Sequence, residues 1–420
     1  MVPENRESIL SVVFSSRMLV AFIMGFACGL PLLLTLSVLQ AWMQDEGVDL
    51  TVIGMMALVG LPYTLKFVWA PLMDRFTLPF LGRRRGWLLI VQAALTFSIA
   101  GLGFTDPGKA PWMVAVAAFL VTFFSASQDI VVDAYRREDL PDEELGLGSS
   151  FYINGYRLGM LLASGGGLIM ADHLSFSMVY LIMAACMLPG VLTTLLAPEP
   201  EIVAGTPRTM KEALFDPLAD YFSRQDAIWI LAFILFYKIG DTMASAMTTP
   251  FYLDIGFTKT QIGAVVKLFG FWATVAGSLI GGMLMLRLKI NRSLWIFGFL
   301  QAISTACFAI LARVGSSVGV LSAVIAFENL SSGMGTAAYV AFMASITNKK
   351  FTATQYALLS SLMGVPRVLA SAPTGYLAKN LGWESFFISC TIIAAPGMLL
   401  LFKFAPWHSK KTGVENRHYD

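Results

Sequence analysis

Long apolar stretches alternate with short polar connections along almost the whole chain. A stretch of about 20 apolar residues is long enough to cross a bilayer as a helix. Counted in this way, the pattern predicts an all-α membrane protein with twelve transmembrane helices in two six-helix bundles. The predicted spans lie near 17–44, 51–73, 86–104, 112–133, 146–170, 175–196, 227–252, 260–285, 293–313, 318–346, 354–378 and 383–404.

Composition and charge placement support a membrane protein. Of the 420 residues, 56% are hydrophobic and only 13% are charged, which is too little polar surface for a soluble domain of this size. The connections alternate between the two sides of the membrane, and most of the basic residues in them lie on one side. The connections of the opposite side carry only Lys109, Lys259, Arg313 and Lys379. Since positive charge favours the cytoplasmic side, both termini are predicted to be cytoplasmic.

The longest connection divides the chain into two halves. Residues 1–196 form a predicted N-terminal bundle, 197–226 a cytoplasmic linker, and 227–420 a C-terminal bundle with a tail. Leu214, Phe215, Leu218 and Phe222 recur in the linker at helical spacing, which predicts a short interfacial helix. Pro217 within this stretch argues against a regular helix.

The two halves resemble each other. TVIG opens the second span at residues 51–54, and TQIG opens the eighth at residues 260–263. Arg157 in the fifth span matches Arg367 in the eleventh at nearly the same offset. A repeat of six helices in one orientation is the arrangement of major facilitator transporters, whose substrate site lies between the halves.

The connection between the second and third spans, WAPLMDRFTLPFLGRRRGW, resembles the signature loop of that superfamily. We expect its charges, together with those that end the fourth span, to form a latch that opens and closes the cytoplasmic gate. The alternative is simple anchoring by positive charge on the inner side. The predicted gating residues are Asp74, Arg75, Arg83, Asp133 and Arg136.

Several ionisable residues fall inside the predicted spans, where an unpaired charge is costly and therefore suggests function. Asp129 is either a proton carrier or a structural partner of a cation such as Arg157. Asp133, one turn later beside Arg136, is better explained as a solvated or latch-paired helix end than as a substrate ligand. Lys66 either shares the buried space or extends toward the interface.

Arg157 and Arg367 also have two interpretations. Two guanidinium groups facing one cleft would recognise an anion, because their paired donors suit carboxylates and phosphates. Alternatively, one of them pairs with Glu328 and holds helices together. Both arrangements are compatible with different stages of one transport cycle.

Enzymatic chemistry finds little support. GFTDPGK at residues 103–109 matches the spacing of a phosphate loop, but Ala110 replaces the Ser or Thr that would bind magnesium. The four cysteines and three histidines show no metal-ligand spacing, so no metal site, catalytic residue or cofactor is predicted.

Several motifs resemble the AmpG family, the muropeptide permeases of Gram-negative bacteria. They are SQDIVVDAYRRED, GYRLGMLLASGG, APEPE, YKIGD, FENLSSGMGT and TATQYALLSSL, and they occur in both halves. The resemblance implies a permease of the bacterial inner membrane that is driven by the proton gradient and needs no cofactor. Its implied cargo is N-acetylglucosamine joined to anhydro-N-acetylmuramic acid, with or without a stem peptide, imported for cell-wall recycling and linked in some species to β-lactamase induction.

The same resemblance marks a set of residues of interest, which are Gln128, Asp129, Arg157, Lys238, Asp241, Glu328, Asn329 and Arg367. On physical grounds, proton coupling is assigned to Asp129, Asp241 and Glu328. Substrate binding is assigned to the groups that suit the acids, hydroxyls and amides of the cargo, which are Gln128, Tyr156, Arg157, Lys238, Asn329 and Arg367. We expect a monomer in the lipid bilayer with no nucleic-acid partner. Open alternatives are a carrier for another anionic cargo, such as an acyl-CoA, a siderophore or a peptide, and a membrane sensor of cell-wall fragments.

Overall fold

The computed structural model describes residues 9–48, 50–201, 209–224, 226–258, 261–366, 370 and 373–405. Within these ranges the secondary structure is helical and contains no strand. Eight helices in the described ranges are long and apolar enough to cross a membrane. The prediction of an all-helical membrane protein is therefore confirmed, whereas Arg367 lies outside the described residues.

The chain forms two compact units. Unit 1 consists of Met1–Tyr221 and Met343–Ser361, and unit 2 consists of Phe222–Phe342 and Leu362–Asp420. The first boundary falls inside the predicted linker, while the domain limits predicted from the sequence stay a prediction. Met343–Ser361, called the return segment below, packs with the N-terminal part of the chain.

Unit 1 contains mainly α-helices, some of which continue through short π or 3-10 segments. The helices are α1 (Ile9–Val13), α2 (Ser16–Leu33), α3 (Leu39–Asp45), α4 (Leu50–Met55), α5 (Leu61–Leu65), α6 (Ala70–Arg75), α7 (Arg83–Gly103), α8 (Pro111–Asp139), α9 (Leu145–Leu161), α10 (Gly167–Ala171), α11 (Phe176–Ala185), α12 (Leu188–Leu196) and α13 (Met210–Phe222). The π segments are Leu34–Val38 and Leu162–Gly166, and the 3-10 segments are Met56–Gly60 and Lys66–Val68.

Unit 2 and the return segment contain the remaining helices. These are α14 (Ala227–Phe236), α15 (Ile239–Asp254), a π segment at Ile262–Phe269, α16 (Gly270–Val314), α17 (Val318–Ser345), a 3-10 turn at Lys349–Phe351, α18 (Thr352–Met363) and α19 (Thr374–Phe404). Helix α17 begins in unit 2 and ends in the return segment, which also contains most of α18.

Two of the long helices each change direction where one predicted span ends and the next begins. Lys289 in α16 has a φ of 62°, and Gly382 in α19 has a φ of 74°, both in the left-handed region. Glycine adopts such a φ at little cost, which suits Gly382 to the turn. The number of spans nevertheless remains a prediction, because eight helices meet the length and hydropathy criteria among the described residues.

The predicted linker helix is present as α13. Pro217 lies inside this helix and does not interrupt it. The side chains of Leu214, Phe215, Leu218 and Phe222 are exposed. The apolar stripe expected of an interfacial helix is thus formed, and its position on a membrane surface stays a prediction. Large apolar side chains such as Phe97 and Trp112 are likewise exposed, as expected for a surface that faces lipid.

The second predicted span is divided into short helices and 3-10 segments, and Lys66 lies at one of the breaks. Helices α5 and α6 each begin with a proline, Pro62 and Pro71, at the first or second position, where a missing N–H is tolerated. The 3-10 segments precede these starts. Lys66 opens one of them and is only 6% exposed, so the interpretation in which it extends to the interface is not supported.

Helices α2 and α9 pack with their backbones almost in contact. A methyl group at Gly155 would lie 1.9 Å from the carbonyl oxygen of Phe22, and one at Gly29 would lie 1.9 Å from that of Tyr156. Methyl groups at Gly25 and Gly159 would lie 2.1 Å and 2.3 Å from carbonyl oxygens of the facing helix. Small residues four apart on both helices permit this approach, which is common between membrane helices.

We predict that Gly155→Ala lowers the free energy of unfolding by about 1–3 kcal/mol or more, because overpacking must separate the two helices. The matched control is Gly101→Ala, since no atom lies within 4 Å of the position of the added methyl group. The thermal midpoint of the purified protein in detergent measures both. Equal midpoints for the two variants would contradict the packing described here.

Candidate functional site

Asp129 lies in a continuously buried stretch of α8. Every residue of α8 from Ser125 to Arg137 is buried, and Asp129 itself is 6% exposed. Within the described residues, its Oδ1 atom and the Oε1 atom of the adjacent Gln128 have no hydrogen-bond partner. A buried carboxylate with an unused oxygen is costly, which distinguishes this position from a structural ion pair.

The neighbours of Asp129 come from two other helical regions. Gln128 Nε2 donates to Cys28 Sγ at 3.4 Å, and Cys28 lies near Asp129. The close packing of α2 against α9 brings Cys28 into this position. Lys66 is the cation whose charge acts on both Asp129 and Asp133.

This arrangement allows Asp129 two protonation states. The ionised carboxylate is stabilised by the positive charge of Lys66, and the protonated carboxyl avoids the cost of burying a negative charge. Tyr156 lies close enough to interact with Asp129, and Arg157 follows it on α9 in a half-buried position. Unit 1 therefore brings Gln128, Asp129 and Tyr156 together and places Arg157 beside them in sequence.

Asp74 joins the signature loop to the return segment. It is fully buried and accepts hydrogen bonds from Arg83 Nη2 at 3.1 Å and Arg84 Nη2 at 2.9 Å. It also accepts from Thr354 N at 2.8 Å, Thr354 Oγ1 at 2.7 Å and Ala353 N at 3.3 Å. A carboxylate at the start of α18 accepts hydrogen bonds from backbone N–H groups that have no partner within the helix. Its negative charge also interacts favourably with the helix dipole.

A second contact with the return segment involves Arg136. Its guanidinium donates to Asp133 at 3.2 Å, to Ser149 Oγ at 2.6 Å and to the Tyr356 hydroxyl at 2.9 Å. The ring of Tyr152 lies 4.7 Å from the guanidinium carbon. Asp133 is buried and paired with Arg136 on its own helix, so it is not a solvated helix end, and its role in a latch stays a prediction.

Several residues of this network were not predicted. Arg84 is fully buried and binds Glu138 through Nε at 2.9 Å and Nη2 at 2.6 Å. Glu199 of the APEPE motif accepts from the backbone N–H groups of Arg84 at 2.7 Å and Arg85 at 3.0 Å. The motif letters were visible in the sequence, but their partners are more than 50 residues away, so no local spacing indicated these roles. By contrast, the predicted gating residue Arg75 is half-buried and stacks its guanidinium on Phe76.

Unit 2 contains a separate polar cluster. Lys238 lies at the break between α14 and α15, where its Nζ is 3.4 Å from Asp241 Oδ2 and donates to Thr336 Oγ1 at 2.7 Å. Glu328 accepts from Ser304 Oγ at 2.5 Å and lies within electrostatic range of Asp241 and Lys238. Three of the predicted site residues are thus brought together.

Asn329 occupies a different position. Its Oδ1 atom accepts from Thr274 Oγ1 at 2.7 Å, and its Nδ2 atom donates to the carbonyl of Ile325 at 3.0 Å. Gly270 lies against the same amide, so Asn329 helps to join α17 to α16. No metal-ligand cluster occurs in the part of the chain that the structure describes.

Comparison with known proteins agrees with this architecture. The family model described as Major Facilitator Superfamily matches residues 17–371 and 239–418. The "Anhydromuropeptide permease" of Escherichia coli K12 is 46% identical over 92% of this chain and 79% of its own length. "Putative transporter AmpG 4" of Rickettsia conorii is 31% identical over 92% of this chain and 95% of its own.

A solved structure shows the same fold. The proton:xylose symporter XylE superposes with a TM-score of 0.70 over 95% of this chain and 97% of its own, at 13% sequence identity. The chain is therefore a membrane transporter of the major facilitator superfamily and not an enzyme. Within that superfamily it belongs to the AmpG family of permeases, as its motifs predicted.

We predict that Asp74→Asn lowers the free energy of unfolding by roughly 3–5 kcal/mol, because it removes the shared carboxylate of two buried arginines. Asp106→Asn is the matched control, since Asp106 pairs with Lys109 in an exposed loop and such pairs contribute little. The thermal midpoints of the two variants and the wild type, measured in detergent, test this prediction. An unchanged midpoint for Asp74→Asn would show that the network contributes little to stability.

Proposed function

We propose that the protein is a proton-coupled secondary transporter that imports anhydro-muropeptides from the periplasm to the cytoplasm for cell-wall recycling. The observation that carries this proposal is the 46% identity, over 92% of the chain, to a permease named for that cargo. The buried Asp129 site supports the coupling to protons. The protonmotive force supplies the energy, and the cycle uses no cofactor.

The proposal includes a finer architecture. Twelve spans form two six-helix bundles in the bacterial inner membrane, with both termini in the cytoplasm and the protein acting as a monomer. The exposed apolar side chains support contact with lipid, and the basic residues of α7 and α8 support the orientation.

Cargo recognition is assigned to groups that match the chemistry of a muropeptide. Its carboxylates suit the cationic side chains of Arg157, Lys238 and Arg367, and its amides and hydroxyls suit Gln128, Asn329 and Tyr156. Among the residues that the structure describes, Gln128 Oε1 has no hydrogen-bond partner, which supports its assignment because a ligand N–H or O–H would satisfy it. Asn329 already uses both ends of its amide, so binding would require it to exchange a helix contact.

Coupling follows from the charge balance around Asp129. When Asp129 is protonated, Lys66 loses one of the two negative charges that act on it, the other being Asp133. The relative free energies of the transporter's conformations then change, because each conformation hydrates or buries these charges differently. Asp241 and Glu328 are the further coupling carboxylates, and the gate is assigned to the contacts of Asp74 and Arg136 with the return segment.

Asp129→Asn should reduce accumulation of labelled GlcNAc-anhydroMurNAc in proteoliposomes by at least about tenfold, because a side chain that cannot ionise cannot exchange a proton. Exchange of cargo without a gradient should continue. Asp106→Asn is the control and should accumulate cargo normally. If Asp129→Asn and Asp241→Asn both keep pH-dependent accumulation, the coupling assignment is wrong.

The same liposomes distinguish other functions. Competition of the labelled cargo by an acyl-CoA, a siderophore or a peptide would favour another anionic cargo. Binding of muropeptide without any accumulation under an imposed proton gradient would favour a sensor.

Tyr356→Phe should loosen the return segment. The substitution removes the hydroxyl that accepts from Arg136 and keeps the ring, and a hydrogen bond to a charged group contributes about 1.5–3 kcal/mol. Amide hydrogen exchange over residues 343–361 should therefore be faster than in the wild type. Tyr376→Phe, at a position 74% exposed, is the control and should exchange like the wild type. Unchanged exchange in Tyr356→Phe would contradict its role in the latch.

A further inference from the structure

The linker helix α13 is joined to the return segment by an aspartate. Asp220 Oδ1 accepts a hydrogen bond from Asn348 Nδ2 at 3.0 Å, and Asp220 Oδ2 accepts one from Gln355 Nε2 at 2.7 Å. Gln355 Nε2 also donates to the backbone carbonyl of Pro217 at 3.0 Å, within the same helix. Both carboxylate oxygens of Asp220 therefore bind the return segment.

The two amide side chains are also fixed within the return segment itself. Gln355 is only 1% exposed, and its Oε1 atom accepts from Asn348 N at 2.8 Å. Asn348 Oδ1 accepts from Lys350 N at 2.9 Å and caps the 3-10 turn at Lys349–Phe351. Each side-chain amide thus uses both its donor and its acceptor, so the position of Asp220 and the position of this turn depend on each other.

The same short stretch contacts the signature loop. Thr354 donates to Asp74 through its backbone N–H and its hydroxyl, and the carbonyl of Lys350 accepts from Arg83 Nη2 at 3.3 Å. Residues 348–355 therefore bind both α13 and the signature loop. A displacement of α13 would be transmitted through this stretch to the carboxylate to which the gate is assigned.

Helix α13 has three sides at the helical period of 3.6 residues. One side is buried and lies next to Asp220; it is formed by Ala213, Pro217 and Tyr221. A second side is the exposed apolar stripe, formed by Leu214, Phe215, Leu218 and Phe222. The third side is acidic and contains Glu212 and Asp216. The apolar stripe consequently faces outward in one direction, while the opposite part of the helix contacts the return segment.

The course of the chain indicates what covers this stripe. Helix α13 ends at Phe222, and α14, which belongs to a candidate membrane span, begins at Ala227. The connection between them reaches at most about 18 Å even when it is fully extended. Trp229, near the start of α14, is exposed and is of the residue type that favours the boundary between lipid and water. The stripe is therefore within reach of the membrane surface, where large apolar side chains insert between headgroups and acyl chains.

From these contacts we propose that α13 is a membrane-bound clamp, in which the apolar stripe binds the lipid leaflet and Asp220 holds the return segment in place. The interfacial position was predicted from the sequence, and the inference adds the role of the opposite side of the helix. The clamp keeps Thr354 at Asp74 and so regulates the gate. This consequence rests on the proposed function, whereas the clamp itself is measured without cargo.

Amide hydrogen exchange over residues 347–355 tests the clamp in the full-length protein in lipid nanodiscs. Asp220→Ala should make this exchange at least about tenfold faster, because the turn loses its hydrogen bonds to a carboxylate. Asp216→Ala is the matched control, since it removes the same charge from the acidic side of the same helix, and it should exchange like the wild type. Equal exchange in the two variants overturns the clamp.

A reciprocal substitution keeps the test decisive if Asp220→Ala disturbs the fold. Asn348→Asp alone places two carboxylates together and should speed the exchange over residues 347–355. Combined with Asp220→Asn it interchanges the amide and the carboxylate, so that position 220 donates to position 348 and still accepts from Gln355. The double variant should return to within about threefold of the wild type. A double variant that exchanges as fast as Asn348→Asp alone overturns the contact.

The lipid side of the clamp is tested in the same nanodiscs. Phe215→Ser should speed the exchange over residues 347–355 at least about threefold, because it weakens the contact of the stripe with lipid. Ala219→Ser, at an exposed position outside the stripe, is the control and should exchange like the wild type. The fluorescence that Phe215→Trp adds to that of the wild type should be quenched by lipids with brominated acyl chains. Absence of quenching would show that lipid does not cover the stripe and would overturn the proposal.

Uptake of labelled GlcNAc-anhydroMurNAc by the wild type separates this inference from the proposed function. If the wild type takes up no cargo but Asp220→Ala exchanges faster than Asp216→Ala, the proposed function fails and the clamp stands. If the wild type transports cargo and the two variants exchange alike, the clamp fails and the proposed function stands.

Discussion

A charge within the apolar layer of a membrane costs several kcal/mol unless it is paired, protonated or hydrated. At the arginine-rich end of unit 1 the charges are densely paired. Asp74 binds two arginines and the start of α18, while Arg136 binds Asp133 and Tyr356. Asp129 is buried only one helical turn from Asp133 and retains an oxygen without a partner in the described residues. The paired charges stabilise the structure, whereas Asp129 is the carboxyl group proposed to gain and lose a proton.

The same chemistry occurs in both units. In unit 1 the buried Lys66 lies within electrostatic range of Asp129, and in unit 2 Lys238 pairs with Asp241. When a carboxyl group beside a lysine gains a proton, the lysine loses its ion-pair partner and becomes available to an anion.

The sequence predicts the helical architecture well because hydrophobic length and the motif spacing are local properties. It also predicts that Lys238 and Asp241 lie together, because residues three apart share one face of a helix. It does not predict that Lys66 is the cation near Asp129, because Lys66 is buried by a break in its helix at proline-initiated segments. Nor does it predict Arg84 with Glu138, or Asp74 with Thr354, because these pairs are 54 and 280 residues apart.

The central claim is that protons and cargo cross the membrane together. It is tested most directly in proteoliposomes containing the wild-type protein and a pH-sensitive dye in the lumen, with labelled GlcNAc-anhydroMurNAc added outside. The account predicts that the lumen acidifies in proportion to cargo uptake. Uptake of cargo against its gradient with no change in luminal pH would contradict it.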